Sequence, residues 1–234
     1  MNVTRDFVLP LEDVPVSVAL PAGLERPGVR RRWQAALDDL GALAEPAACW
    51  EEHRIEAILH ERLQLEGGRR IGAGPLASVV AGADALVLAV CTLGAALDER
   101  IREQRDRGRY LEMMLLDELA SWAVDQVRIQ LYQRLCALFR ERGWNASSPL
   151  SPGESSWPLR EQRIVFKLVA AEEIGVRLDS GNLMHPLKSL TFAFGAGAGE
   201  LGSQGLTACE YCSIQDRCRY AADRSRRAAA AAVD

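Results

Sequence analysis

The 234-residue chain predicts an α+β fold, and three observations carry that prediction. Helix and strand signals follow one another in irregular order, without the regular alternation of a doubly wound parallel sheet. Ala85-Leu86-Val87-Leu88-Ala89-Val90-Cys91 is a continuous apolar run, the pattern of a strand covered on both faces. Residues 110–142 sustain one apolar stripe, Leu111, Leu115, Leu119, Trp122, Val127, Leu131, Leu135 and Leu138, which marks a helix roughly 50 Å long.

The other elements follow in chain order. Phe7-Val8-Leu9 and Val14-Pro15-Val16-Ser17-Val18 read as short extended segments interrupted by prolines. A helix is predicted over 28–43, started by Pro27 and stopped by Pro46, with Trp33, Ala36, Leu37, Leu40 and Leu43 on its apolar face. The spacing of Ile55, Ile58, Leu59 and Leu63 predicts a second helix over 50–65, carrying His53 and His60 and closed by Gly67-Gly68. Strands are predicted over 70–74 and 85–91, and Thr92 caps a charged helix over 95–107 that Gly108 breaks. Gly143 ends the long helix, on which Asp117, Ser121 and Asp125 fall at i, i+4 and i+8 and so share one face.

Residues 147–159 hold three prolines and five serines, which excludes helix and central strand. Pro152-Gly153 signals a turn, and Trp157-Pro158-Leu159 an anchored entry into a helix over 159–168. Strands are predicted at 176–178 and 190–195, with Pro186-Leu187-Lys188-Ser189 as a loop before the second. Gly195, Gly197, Gly199, Gly202 and Gly205 lack the strand–loop–helix setting of a nucleotide-binding fingerprint and read as a flexible connection. The expected organisation is one folded unit over 1–206, a cysteine segment over 207–220 and a disordered tail over 221–234.

A net charge of −4 argues against a nucleic-acid partner. No stretch is long and apolar enough to span a membrane, and the N-terminus lacks a signal peptide, so a cytoplasmic location is expected. The three histidines are too scattered for a catalytic triad; His185, in a loop, is a candidate ligand or acid/base. The sharpest chemical signal is Cys209, Cys212 and Cys218, spaced C-x2-C-x5-C. Three thiolates at that spacing converge on one centre, an iron–sulfur cluster or a zinc ion, and leave a fourth position for another ligand. Candidates for that position are His185 and the remaining cysteines, although Cys91 and Cys136 lie in apolar stretches and read as core.

Four blocks together carry a likeness. They are Leu88-Ala89-Val90 closing in Cys91-Thr92-Leu93-Gly94; Leu115-Leu116-Asp117 through Asp125; Ser151-Pro152-Gly153 with Trp157-Pro158-Leu159; and Pro186-Leu187-Lys188-Ser189-Leu190-Thr191 leading to Phe194-Gly195. In this order they resemble the activation domain of cobalamin-dependent methionine synthase and the stand-alone proteins similar to it in corrinoid methyl-transfer systems. The resemblance implies a mixed domain with a bent antiparallel sheet and flanking long helices. It also implies S-adenosylmethionine binding, docking on a corrinoid protein, and support for reductive methylation of cob(II)alamin with one electron from an outside donor. Cobalamin itself would come only on the partner.

By the same resemblance, Ser151, Pro152 and Gly153 would present backbone groups to S-adenosylmethionine, and Asp125 would face its cationic amino end. Pro149 stands where the family has an arginine and Glu154 where it has a tyrosine, so the clamp on the ligand's carboxylate falls to Lys188 or Arg160. The cysteine segment is extra to the family domain; as an iron–sulfur cluster it would deliver the electron. Two readings result. One is an accessory protein that reactivates cob(II)alamin with S-adenosylmethionine as methyl donor. The other is a non-enzymatic iron–sulfur or zinc protein that binds a corrinoid protein or carries electrons.

Overall fold

A computed structural model describes residues 2–14, 26–72, 75–154 and 157–202. In chain order the regular elements are β1 (Asn2–Thr4), α1 (Pro27–Leu43), β2 (Ala47–Leu59), β3 (Arg62–Leu65), β4 (Arg69–Ile71), α2 (Leu76–Val79) and β5 (Ala85–Thr92). They continue with α3 (Ala96–Asp106), α4 (Tyr110–Glu141), β6 (Asn145–Ala146), α5 (Gln162–Leu168), β7 (Arg177–Leu178), β8 (Met184–His185) and β9 (Ser189–Gly197).

Every residue of β5 is buried, and a strand with no polar face requires a covering layer on each side. It lies between β2 and β9 in a sheet ordered β4-β3-β2-β5-β9-β6, with β1 on β2. All of these pairings are antiparallel. One face, with Val87, Ala89, Cys91, Phe192 and Phe194, packs under α1 and α4. The other, with Leu86, Leu88, Val90 and Ala193, packs under Trp157 and α5. The architecture is therefore the expected α+β domain, an antiparallel sheet with a long helix along it.

β9 and α4 run alongside each other. Lys188, just before β9, reaches Ser121 of α4; Tyr132 meets Phe192 and Phe194, and Phe139 meets Phe194, as edge-to-face ring pairs. Both elements thus advance in the same direction.

The helix expected over 50–65 is instead β2 and β3, joined by a tight turn in which His60 and Glu61 both have positive φ. The register slips between Ile55 and Ala57. This bulge adds one residue, so Ile55 and Ile58 fall on one face three apart where an unbroken strand would space them by two. That spacing imitates a helix. His53 is buried in β2, and its Nε2–H donates to the Leu168 carbonyl at 3.0 Å.

The glycine run is also corrected for its described part. Gly195 and Gly197 belong to β9 and pack against the 80–84 turn, where Asp84 N donates to Ala196 O at 2.9 Å. A Cβ on Gly195 would lie 2.7 Å from Ala83 Cβ and 2.9 Å from Val80 Cβ. Gly202 is equally tight against the Ser78 carbonyl. These glycines are absences of side chain where two backbones touch, not hinges. Phe7 and Leu9 pack on the core without forming a strand; β1 is at Asn2–Thr4 instead. Residues 15–18, the cysteine segment and the tail lie outside the described residues.

The short helical turn Leu159–Glu161 leads into α5 and is tied to the sheet by Glu161, which is 4% exposed. Its carboxylate accepts from Arg62 Nη2 at 2.9 Å and from the Gly72 N–H at 2.9 Å. Glu161→Ala would orphan the buried Gly72 N–H and is expected to cost about 1–3 kcal/mol in urea unfolding; an unchanged midpoint would show the tie to be idle. Gly195→Ala forces apart two backbones in the core and is expected to cost about 1–3 kcal/mol by the same measurement.

Candidate functional site

The Ser-Pro-Gly loop is placed by the outer edge of β9. After α4 the chain pairs with that edge through β6 and then through Ser147 and Leu150. Ser147 N donates to Gly195 O at 2.8 Å, and Gly195 N donates back to Ser147 Oγ at 2.8 Å. Leu150 and Ala193 exchange both backbone bonds, at 2.9 and 2.8 Å. Beyond Leu150 the chain leaves the edge in a tight turn. Glu154 N donates to Ser151 O at 3.0 Å, Gly153 N to Trp157 O at 2.8 Å, and Trp157 N to Glu154 O at 3.1 Å. Ser151 N donates to the Glu154 carboxylate at 3.2 Å. Pro152 has no N–H, so the backbone donors of 151–154 are all committed within the loop. Gly153 has φ of 93°, which a side-chain-bearing residue rarely adopts.

The helix face that Asp117, Ser121 and Asp125 share is engaged by two basic side chains. Lys188, 9% exposed, places Nζ 2.7 Å from Asp117 Oδ1 and donates to Ser121 Oγ at 2.9 Å. A largely buried ammonium needs that carboxylate, since an unpaired charge would pay its full desolvation. Lys188 therefore pins the loop before β9 to α4. One turn on, Asp125 pairs with Arg128: Nε and Nη2 of the guanidinium both lie 2.8 Å from Oδ1. Their side chains are 19% and 15% exposed, so this pair is partly shielded from solvent and is stronger than an exposed one. Sequence reasoning passed over Arg128; its i+3 spacing from Asp125 was the available signal.

Asp125 and the loop are placed relative to β9 by separate contacts. Tyr132 OH donates to Ser147 O at 2.7 Å, which fixes one level. From there Asp125 lies roughly 10 Å back along α4. Leu150 pairs with Ala193, so Ser151 follows beside Phe192, three β9 residues from Gly195 and roughly 10 Å along the strand. Thr191 Oγ1 and Trp157 Nε1 are buried without a hydrogen-bond partner among the described residues.

His185 Nε2 lies 3.0 Å from Asp179 Oδ2, and this hydrogen bond, with backbone N–H groups of Leu183 and Gly181, holds the Asp179 carboxyl below its ordinary range. Burial pushes the Cys49 thiol up to about 12 and raises the Cys91 and Cys136 thiols, the behaviour of core thiols rather than thiolate ligands. Among the described residues no group of three or more His, Cys, Asp or Glu is placed to hold a metal ion. Cys209, Cys212 and Cys218 lie outside those residues. Among the described residues, too, no helix is long and apolar enough to cross a membrane.

No family model matches the chain and no curated protein matches it. Among solved structures it is similar to the MetH reactivation domain bound to AdoHcy, with 15% identity and a TM-score of 0.58, over 86% of this chain and 77% of that one. At that identity the likeness speaks for the path of the backbone, which is the path the four sequence blocks imply. The chain has the fold of the MetH reactivation domain.

Proposed function

We propose that the chain is an accessory protein of a corrinoid methyltransferase system that supports reductive reactivation of cob(II)alamin held by a partner, with S-adenosylmethionine as methyl donor. The reading is supported by the fold of a reactivation domain, in which the Ser151-Pro152-Gly153 turn leaves the edge of β9 and the partly shielded Asp125–Arg128 pair lies on α4. The amino-acid end of S-adenosylmethionine is a zwitterion beside a sulfonium. Asp125 would face its ammonium, and Arg128 would take its carboxylate in place of the arginine that Pro149 displaces. With the N–H groups of Ser151, Gly153 and Glu154 committed, the loop would contribute carbonyl oxygens and shape. Lys188 enters as the support that fixes β9 to α4, its charge already met by Asp117. When bound, the ligand supplies a methyl group to cobalt that an outside electron has reduced; the chain's own residues bind and orient it.

Cys209, Cys212 and Cys218 extend the proposal. As ligands of an iron–sulfur cluster they would let the chain pass that electron itself. Their spacing also supports the second reading, a non-enzymatic iron–sulfur or zinc protein that binds the corrinoid protein or carries electrons.

Calorimetry with S-adenosylmethionine tests the first reading. Asp125→Asn and Arg128→Gln are each expected to weaken binding about tenfold or more, close to 1.4 kcal/mol, while Lys188→Met lowers the melting temperature and shifts affinity less. Absence of heat at about 1 mM ligand would sink the methyl-donor role. For the cysteines, anaerobically purified protein is expected to be coloured and to contain iron, and replacing Cys212 by Ser should bleach it. Iron-free, colourless protein that retains zinc would leave only the zinc version of the second reading.

A further inference from the structure

A second site lies away from the loop. α1, α3 and α4 enclose a cleft of about 420 Å³, within the range of small-molecule sites. Glu112 on its wall precedes Asp125 by roughly 20 Å along α4, so the two sites do not overlap.

The walls are electropositive. Arg31, Arg32, Arg100 and Arg109 line it with Asp39 and Glu112, and Glu103 pairs with Arg100 from behind at 2.7 Å, which leaves four positive charges against three negative ones. Arg100 is held on Asp39, with Nε 2.8 Å from Oδ2 and Nη2 3.3 Å from Oδ1, and Arg32 on Glu112 at 3.0 Å. Arg31 and Arg109 have no ion-pair partner among the described residues. The N-termini of α1 and α4 also open here, and neither carries a side-chain cap, so the positive ends of two long helices add to the field.

Gln104 supplies the independent observation. It is 4% exposed, lines the cleft, and its Oε1 has no hydrogen-bond partner among the described residues. Buried side-chain carbonyls are almost always satisfied, so this one asks for a donor from within the cleft. An arginine-lined wall calls for an anion of high charge density, and the Gln104 oxygen calls for a hydroxyl on the same molecule.

We propose that this cleft binds a small phosphate monoester bearing hydroxyl groups, a sugar phosphate in chemical class. Arg31 and Arg109 take the phosphate beside the helix starts, and a hydroxyl donates to Gln104 Oε1. Two free guanidiniums and a dianionic phosphate match in charge; the orphaned amide oxygen selects the phosphate ester over the bare ion.

Calorimetry at low ionic strength tests this with ribose 5-phosphate as probe and inorganic phosphate and ribose as controls. Ribose 5-phosphate is expected to bind below about 1 mM, inorganic phosphate more weakly and ribose not at all. Gln104→Leu should weaken ribose 5-phosphate about tenfold and leave inorganic phosphate unchanged. Arg109→Ala should weaken both, and melting curves of the two variants confirm that they are folded. No heat from ribose 5-phosphate up to about 10 mM, equal affinity for the ester and the bare ion, or variants that bind as the parent does would overturn the proposal. None of these readouts involves S-adenosylmethionine or a corrinoid, so they stand or fall apart from the preceding function.

Discussion

Everything in this domain follows from a strand with no polar face. β5 is buried from Ala85 to Thr92, so water must be excluded from both sides of the sheet's middle. α4 and α1 close one side; Trp157 and α5 close the other. Because β5 occupies the middle, its partner β9 has one remaining edge, and the chain leaving α4 covers it through β6, Ser147 and Leu150. Unpaired strand groups at that edge would otherwise be exposed. The position of the Ser-Pro-Gly turn is therefore a consequence of covering an edge. Its anchor, Trp157, belongs to the second core layer.

Sequence pattern exposed the parts of this plan that rest on local rules. The apolar run 85–91 has no reading but a doubly covered strand, and the stripe from Leu111 to Leu138 has none but a long helix; both stand within a residue or two of α4 and β5 as found. β2 was illegible for two local reasons. The bulge between Ile55 and Ala57 shifts the alternation so that apolar residues fall at helical spacing. The hairpin turn uses His60 and Glu61 in the left-handed region in place of the Asn-Gly pair that would announce it. The glycines at 195 and 202 failed for a different reason. Their cause is a backbone more than a hundred residues away, at Val80, Ala83 and Ser78, and no local signal carries that. Of the candidate site, Asp125 and the loop could be named from the four sequence blocks. Arg128 had only its i+3 spacing from Asp125 as a signal, and the folded helix shows the two paired.

The electrostatics of the site separate two roles that the sequence merges. Lys188 and Asp125 were both drawn toward one ligand, yet each already has an opposite charge. For Lys188 the pairing is structural: its side chain is 11% exposed, against 50% for Asp117, so losing Asp117 would leave a charge with little solvent to turn to. For Asp125 and Arg128 the pairing is local, three residues apart on one helix, and such a pair can be widened by rotamer changes. A zwitterion entering between them would exchange one set of ion pairs for another with little net change in burial. That asymmetry is why the proposed clamp is Arg128 rather than Lys188.

Pro149 and Glu154, the two departures from the family pattern, have local structural work that accounts for them. Pro149 sits between Ser147 and Leu150, whose N–H groups carry the edge pairing; a residue there need not donate, so a proline is tolerated at a sheet edge. Glu154 turns its carboxylate back onto Ser151 N, closing the loop on itself. Under the proposed function, recognition would rest on side chains of α4, with the loop contributing shape. A site built that way is rigid, because α4 is locked to the sheet by Tyr132 on Ser147 and by Lys188 on Asp117 and Ser121. A rigid site spends little of its binding energy on ordering itself.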